Sequence, residues 1–116
     1  MNILIIGHAG YIGPVLVDQL LKNKDYTLKG IDTEYFKKKN LFKDKKYKNL
    51  KNVFKDVRKI SQTDLKNIDA IVYLAAISND PMGNQFIKAT EEINVIATKR
   101  LIKLCIASKV KSFVFA

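Results

Sequence analysis

Short and nearly continuous apolar runs recur along the chain, and polar or periodic segments separate them. Such runs predict parallel strands that are buried on both faces, because a strand covered on both sides needs no alternation of polar and apolar residues. The predicted strands span residues 3–6, 26–32, 50–54, 68–76 and 111–116.

The segments between the strands carry helical signals. Pro14 precedes a periodic segment, 15–21, and proline is favoured at the first position of a helix. Residues 61–65 predict a short helix with a serine cap, and 85–108 predict one long helix after a polar loop at 78–84. The second half of the long helix is apolar nearly all round, so it needs a partner besides the sheet, and a homodimer through this helix is a candidate.

Alternating strands and helices predict an α/β domain with right-handed crossovers and a parallel, doubly wound sheet. Five strands in the order 3-2-1-4-5 place the first strand at the centre. Ligands then belong at the carboxyl ends of strands one and four, where the direction of the connections reverses. A chain of 116 residues has room for one domain, which we assign to residues 1–116.

The net charge of +10 is mostly local, because residues 37–51 contain eight lysines against Asp44 alone. This segment is a candidate nucleic-acid contact, but a solvated lysine-rich loop is the favoured interpretation, because arginine occurs only at Arg58 and Arg100.

The single Cys105 fits a packing role and a reducing cytoplasm. No apolar run has the length of a membrane span, and no metal-binding cluster is evident.

Three glycines, Gly7, Gly10 and Gly13, follow the first strand at a spacing of three, with Tyr11 and Ile12 in the last interval. A glycine turn between a strand and a helix aims free N–H groups at a phosphate and lets the backbone approach it. Asp32 ends the second strand 19 residues after Gly13, where a carboxylate accepts hydrogen bonds from ribose hydroxyls and repels a 2′-phosphate. The pattern predicts a Rossmann-type fold that binds NAD in preference to NADP.

Three further motifs follow in order, namely Asp56-Val57-Arg58, Leu74-Ala75-Ala76 and Asn94-Val95-Ile96-Ala97-Thr98. Together with the glycine turn and Asp32, they make the chain resemble the N-terminal part of the extended short-chain dehydrogenase/reductase family, the NAD-dependent sugar-nucleotide epimerases and dehydratases. The resemblance implies that Asp56 meets the adenine amine and that the segment from Leu74 to Ala76 runs beside the cofactor. It also implies cofactor-site roles for Val57 and Asn94.

The chain departs from the family pattern at four positions, where Ile6, Pro14, Tyr73 and Ala97 replace the usual Thr, Ser, His and Gly. The resemblance also implies that the catalytic Ser and the Tyr-x-x-x-Lys pair lie beyond residue 116, so the sheet is expected to be truncated before its last strands. No catalytic residue is therefore assigned.

Two tyrosines have a lysine four residues later, in the pairs Tyr35/Lys39 and Tyr47/Lys51. Such spacing arises easily by chance in a lysine-rich segment, and we interpret both pairs as coincidental. His8, the single histidine, is expected to fill space in the glycine turn.

The leading hypothesis is NAD(H) binding as the cofactor half of an NAD-dependent nucleotide-sugar epimerase or dehydratase in the cytoplasm, with the nucleotide sugar bound only by a full-length form. The alternatives are a non-catalytic dinucleotide-binding module and a non-autonomous fragment. Nucleic-acid contact through residues 37–51 is a further alternative.

Overall fold

A computed structural model describes residues 1–36, 47–78 and 80–116, and they form one parallel sheet with helices on both faces. The strand order is β3-β2-β1-β4-β5, as the sequence predicts. The strands are β1 Asn2–Ile6, β2 Thr27–Asp32, β3 Leu50–Phe54, β4 Ala70–Tyr73 and β5 Ser112–Phe115. The helices are α1 Gly13–Leu20, α2 Asp80–Gln85, α3 Ile87–Glu91 and α4 Thr98–Ala107, with a π-helical turn at Glu92–Ala97 and 3₁₀ turns at Val57–Lys59 and Gln62–Leu65.

Strand β1 lies at the centre because apolar residues occupy both of its faces. Leu4 and Ile6 point into one hydrophobic cluster, while Ile3 and Ile5 point into the other. The strand pairs with β2 on one edge and β4 on the other, so Ile3 lies opposite both Leu28 and Ala70. The continuous apolar run of the sequence is thereby explained: no residue of this strand from Ile3 to Ile6 faces solvent.

Each face of the sheet is covered by different elements. Val17 of α1 packs on the face that carries Ile3 and Ile5. Leu101 and Cys105 of α4, with Ile60 and Leu65, cover the other face. Cys105 is buried, as its packing role requires, and burial raises the pKa of its thiol.

The long helix predicted over 85–108 is confirmed from Ile87 to Ala107, although it starts two residues later and contains a π-helical turn. The helical path breaks at Phe86, whose φ of −125° is outside the helical range, and it then continues from Ile87 to Ala107 through the π-helical turn. The segment predicted as a loop at 78–84 contains α2 instead.

The outer surface of α4 carries apolar side chains that nothing in the described ranges covers: Ile106 is 74% exposed and Ile102 is exposed as well. This agrees with the expectation that the helix needs a second partner, and a homodimer stays a prediction. None of the helices in the described ranges has the length and apolar composition that a bilayer crossing requires. The lysine-rich segment lies outside the described residues from position 37 to position 46.

Candidate functional site

A cavity of about 320 Å³ lies at the carboxyl ends of the central strands, at the edge of the sheet where the sequence predicts a ligand. Residues from the ends of β1, β2, β3 and β4 surround it. Eight of the predicted site residues line this cavity: Gly7, Gly10, Asp32, Asp56, Val57, Leu74, Ala75 and Ala76. The other four, Tyr11, Ile12, Gly13 and Asn94, do not line it.

The three glycines of the turn have different structural tasks. Gly7 has a φ of +90°, and a Cβ there would lie 2.7 Å from the backbone nitrogen of Ala75. A Cβ on Gly13 would lie 2.2 Å from the carbonyl oxygen of His8, so the start of α1 packs directly on the turn. Gly10 is different, because its Cβ would meet only the carbonyl oxygen of Gly7, at 3.4 Å. Two glycines therefore permit close packing, and Gly10 keeps the cavity-facing surface of the turn free of a side chain.

The start of α1 presents unused backbone donors. No side chain caps the helix, and Pro14 occupies its first turn. In the described part of the chain, no hydrogen bond uses the N–H groups of Tyr11, Ile12 or Gly13. The side chains of Tyr11 and Ile12 are largely exposed, and unused N–H groups at the start of a helix favour an anion in general.

Asp32 joins the end of β2 to the glycine turn. Its Oδ2 accepts a hydrogen bond from the backbone N–H of Ala9 at 2.9 Å, and its Oδ1 accepts one from the N–H of Glu34 at 2.6 Å. Each carboxylate oxygen has a second lone pair that these backbone donors leave available. The carboxylate is thus held in place by the fold while it lines the cavity.

Asp56 is held by a side-chain ion pair. The Nη2 of Arg58 donates to its Oδ2 at 2.6 Å, and the Nη1 of Arg58 donates to Oε2 of Glu92 at 2.7 Å. Hydrogen bonds from the Arg58 side chain hold the pKa of the Asp56 carboxyl below its ordinary value. Arg58 consequently connects the 3₁₀ turn after β3 to the π-helical turn across one side of the cavity.

Asn94 supports the site from behind the cavity wall. Its side chain accepts a hydrogen bond from the N–H of Ile77 at 2.9 Å and donates one to the Ile77 carbonyl at 2.8 Å. Ile77 lines the cavity next to Ala76. Asn94 therefore fixes the segment after β4, and the π-helical turn carries the amide that does so.

Sequence reasoning missed Thr33, Tyr35 and Lys55, which also line the cavity. Their position could have been inferred, since each follows the carboxyl end of a predicted strand. Asp64 is a capping residue of the 3₁₀ turn at Gln62–Leu65. It accepts from the backbone N–H of Ser61 but is only 7% exposed.

The carboxylate of Asp64 is paired with Lys55, whose Nζ lies 2.8 Å from its Oδ1. Burial raises the pKa of Asp64, but the hydrogen bonds from Lys55 and Ser61 outweigh that effect and the net shift is downward. Asp69 accepts from the N–H of Asn2 at 2.8 Å and from Nζ of Lys111 at 2.9 Å, so it ties β1 to the start of β5.

His8 does fill space in the turn, and it does so more tightly than expected. It is 5% exposed, and a Cβ on Gly30 would lie 2.5 Å from its ring, so the imidazole packs flat on β2. Burial lowers the pKa of His8, although the nearby carboxylates of Asp32 and Glu34 act in the opposite direction.

The hydroxyl of Tyr47 donates to the carbonyl oxygen of Pro14 at 3.1 Å, so this tyrosine packs against α1 and does not line the cavity. Tyr35 does line it, but Lys39 lies outside the described residues. Within the described ranges, no group of three His, Cys, Asp or Glu side chains comes together as a metal site.

The chain is similar to known proteins in both sequence and fold. The model of the NAD dependent epimerase/dehydratase family matches residues 3–116. An uncharacterized UDP-glucose epimerase of Bacillus subtilis (strain 168), YtcB, is 35% identical over 128 aligned positions, which cover 100% of this chain and 39% of that protein. The chain thus spans about two fifths of the length of this curated relative.

Two solved structures have closely similar folds. One is the UDP-glucuronic acid 4-epimerase of Bacillus cereus in complex with UDP-glucuronic acid and NAD, at a TM-score of 0.86 and 27% identity, over 99% of this chain and 39% of that chain. The other is DesIV, the dTDP-glucose 4,6-dehydratase of Streptomyces venezuelae with NAD and TYD bound. Its TM-score is 0.82 at 26% identity, over 97% of this chain and 38% of that chain.

Proposed function

The chain belongs to the NAD-dependent epimerase/dehydratase family, and on that premise we propose that residues 1–116 form a single NAD-binding domain whose cofactor site is the cavity at the carboxyl ends of the strands. The observation that carries the proposal is the meeting of four separate motifs around one cavity. Gly10, Asp32, Asp56 and Ala75 are far apart in sequence and all line it.

The glycine turn fits a pyrophosphate. Gly10 leaves room for the phosphate oxygens, and the N–H groups of Ile12 and Gly13 at the start of α1 are available to donate to them. Gly7 lets the turn pack closely on Ala75, and Gly13 lets it pack closely on His8. Because these glycines carry no side chains, a phosphate can approach the backbone of this turn.

Asp32 and Asp56 fit the adenosine half of the cofactor. The free lone pairs of Asp32 would accept hydrogen bonds from the ribose hydroxyls, and its charge would repel the 2′-phosphate of NADP. Asp56 and Val57 lie across the cavity, where the carboxylate can accept from the adenine amine. Leu74, Ala75 and Ala76 supply an apolar wall along the path toward the nicotinamide, and Asn94 holds the continuation of that wall at Ile77.

When bound, NAD would supply reversible hydride transfer, because it can accept a hydride and later return it. For this chain we propose binding and orientation of the cofactor, and we assign proton transfer to none of its residues. The substrate proposed for the whole protein is a nucleotide sugar. This follows from the relatives, whose names specify UDP-glucose, UDP-glucuronic acid and dTDP-glucose.

Titration calorimetry with NAD and NADP tests the proposal. We expect NAD to bind and NADP to bind more weakly. Replacement Asp32→Asn should lower NAD affinity roughly tenfold, because hydrogen bonds to a charged acceptor are lost. It should lower NADP affinity less, since the repelling charge is removed. Asp25→Asn, in the exposed turn before β2, is the matched control and should change neither affinity. No heat of binding at millimolar NAD would contradict the proposal.

A further inference from the structure

The turn that follows β2 has an uncommon backbone conformation. Glu34 has a φ of +56°, in the left-handed region that residues with a side chain rarely adopt. Its backbone N–H points back to Oδ1 of Asp32 at 2.6 Å. The conformation of Glu34 and the orientation of the Asp32 carboxylate are therefore coupled by a short hydrogen bond.

A side chain from β3 contacts the same residue. The Nδ2 of Asn52 donates to Oε1 of Glu34 at 2.7 Å, and Asn52 belongs to the strand that pairs with β2. Glu34 does not line the cavity, whereas Asp32, Thr33 and Tyr35 around it do. The side chains of Glu34 and Asn52 thus lie just outside the cavity. They are next to Asp32, the residue proposed to meet the ribose.

We propose that Glu34 and Asn52 are positioning residues that fix the Asp32 carboxylate for recognition of the 2′-hydroxyl of the adenosine ribose. The inference rests on the proposed function, because it assumes that Asp32 meets the ribose. Asn52 holds the Glu34 side chain, Glu34 holds the left-handed turn, and the Glu34 N–H fixes one carboxylate oxygen. The other oxygen is fixed by Ala9.

This role depends on the acceptor oxygen of Glu34 and not on its charge. For this role the Glu34 side chain must accept the hydrogen bond from Asn52, which a glutamine oxygen also does. Glu34→Gln therefore separates positioning from electrostatic repulsion of a 2′-phosphate. The side chain of Asn52 also acts on His8 in the direction of raising its pKa. Glu34→Ala is accordingly needed beside Asn52→Ala, since it removes the hydrogen bond between the two residues while Asn52 itself stays in place.

The test compares the affinities of the full chain for NAD, 2′-deoxy-NAD and NADP by titration calorimetry. The ratio of the first two affinities measures recognition of the 2′-hydroxyl alone. We expect Asn52→Ala and Glu34→Ala each to reduce this ratio roughly fivefold, about the effect of one ordinary hydrogen bond. The double variant should be no worse than either single variant, because both remove the same contact.

Glu34→Gln should keep the ratio and the preference for NAD over NADP, and Asn49→Ala, the same change in the exposed turn before β3, should alter nothing. A merely structural role would lower both affinities together, leave the ratio unchanged and overturn the inference. A relaxed NADP preference in Glu34→Gln would also overturn it, in favour of a charge effect. Absence of NAD binding by the unaltered chain would overturn the proposed function together with this inference. An unchanged ratio in chains that bind NAD overturns the inference alone.

Discussion

The two sides of the cavity are built from different kinds of contact. On the side of β1 and β2, backbone meets backbone: Gly7 and Gly13 have no room for a Cβ, and backbone N–H groups hold Asp32. On the side of β3 and the π-helical turn, Arg58 bridges Asp56 and Glu92 through partly exposed side chains.

This difference predicts how strongly substitutions on each side of the cavity affect the stability of the protein. Contacts between backbone atoms leave no freedom to adjust, because the strands on either side are fixed by the sheet. Exposed ion pairs contribute little to stability and weaken in salt. Gly7 and Gly13 should therefore tolerate almost no substitution, whereas the Asp56 side should tolerate many.

The largest effect is expected at Gly13. Gly13→Ala places a Cβ against the carbonyl of His8 and should lower the free energy of unfolding by about 3 kcal/mol, the upper part of the usual range for overpacking. Urea unfolding followed by circular dichroism measures it.

Gly10→Ala is the matched control on the same turn. Among the described residues its Cβ meets nothing closer than 3.4 Å, so the free energy of unfolding should change by less than about 0.5 kcal/mol. NAD affinity should still fall, because the methyl group occupies the surface that faces the cavity. Equal destabilisation by the two substitutions would remove the distinction between packing and ligand-facing glycines.

An intermediate effect is expected at Gly30, where the opposing group is the buried ring of His8. Gly30→Ala should lower the free energy of unfolding by about 2 kcal/mol, because the ring has little space into which to move. Adding His8→Ala should recover part of that loss, and the coupling is obtained from a double-mutant cycle of unfolding free energies. If the two losses simply add, the ring does not pack on Gly30 as described.

The smallest effect is expected on the ion-pair side. Arg58→Met keeps much of the side-chain length and should cost less than about 1 kcal/mol of unfolding free energy, with the difference shrinking at high salt. Because Arg58 holds the pKa of Asp56 low, this contribution is present above the ordinary carboxyl pKa of 3.8 and is lost as the pH falls through the lowered pKa of the folded protein. Urea unfolding at two salt concentrations and across acidic pH checks both statements. A loss of unfolding free energy as large as that expected for Gly13→Ala would contradict the proposed difference between the two sides of the cavity.

Much of the fold follows from local pattern. The position of the central strand β1 was predictable because it is apolar on both faces, as Leu4 and Ile5 illustrate by pointing into opposite clusters. The grouping of Gly10, Asp32 and Ala75 around one cavity was predictable because carboxyl ends of parallel strands share one edge of the sheet. The NAD assignment depended on motif order as well as on spacing.

The contacts that hold the site were not predictable in the same way. The burial of His8 depends on Gly30 in another strand, and the role of Asn94 depends on a π-helical turn that shifts the helix by a fraction of a turn. Asp64 is buried because Lys55 neutralises it, and that pairing has no signature in the sequence spacing. These are long-range packing outcomes, which periodicity does not encode.

The central position of β1 has a consequence for the order of events during synthesis. Both edges of this strand pair with later strands, and its second partner, β4, ends only at Tyr73. At ribosomal rates of about 5–20 residues per second, an interval of roughly 3–13 s separates completion of β1 from completion of β4. During that time one edge of a strand that is apolar from Ile3 to Ile6 has no native partner, which is the condition under which strands aggregate or recruit chaperones. The strand that anchors the finished sheet is therefore also the segment whose protection during translation matters most.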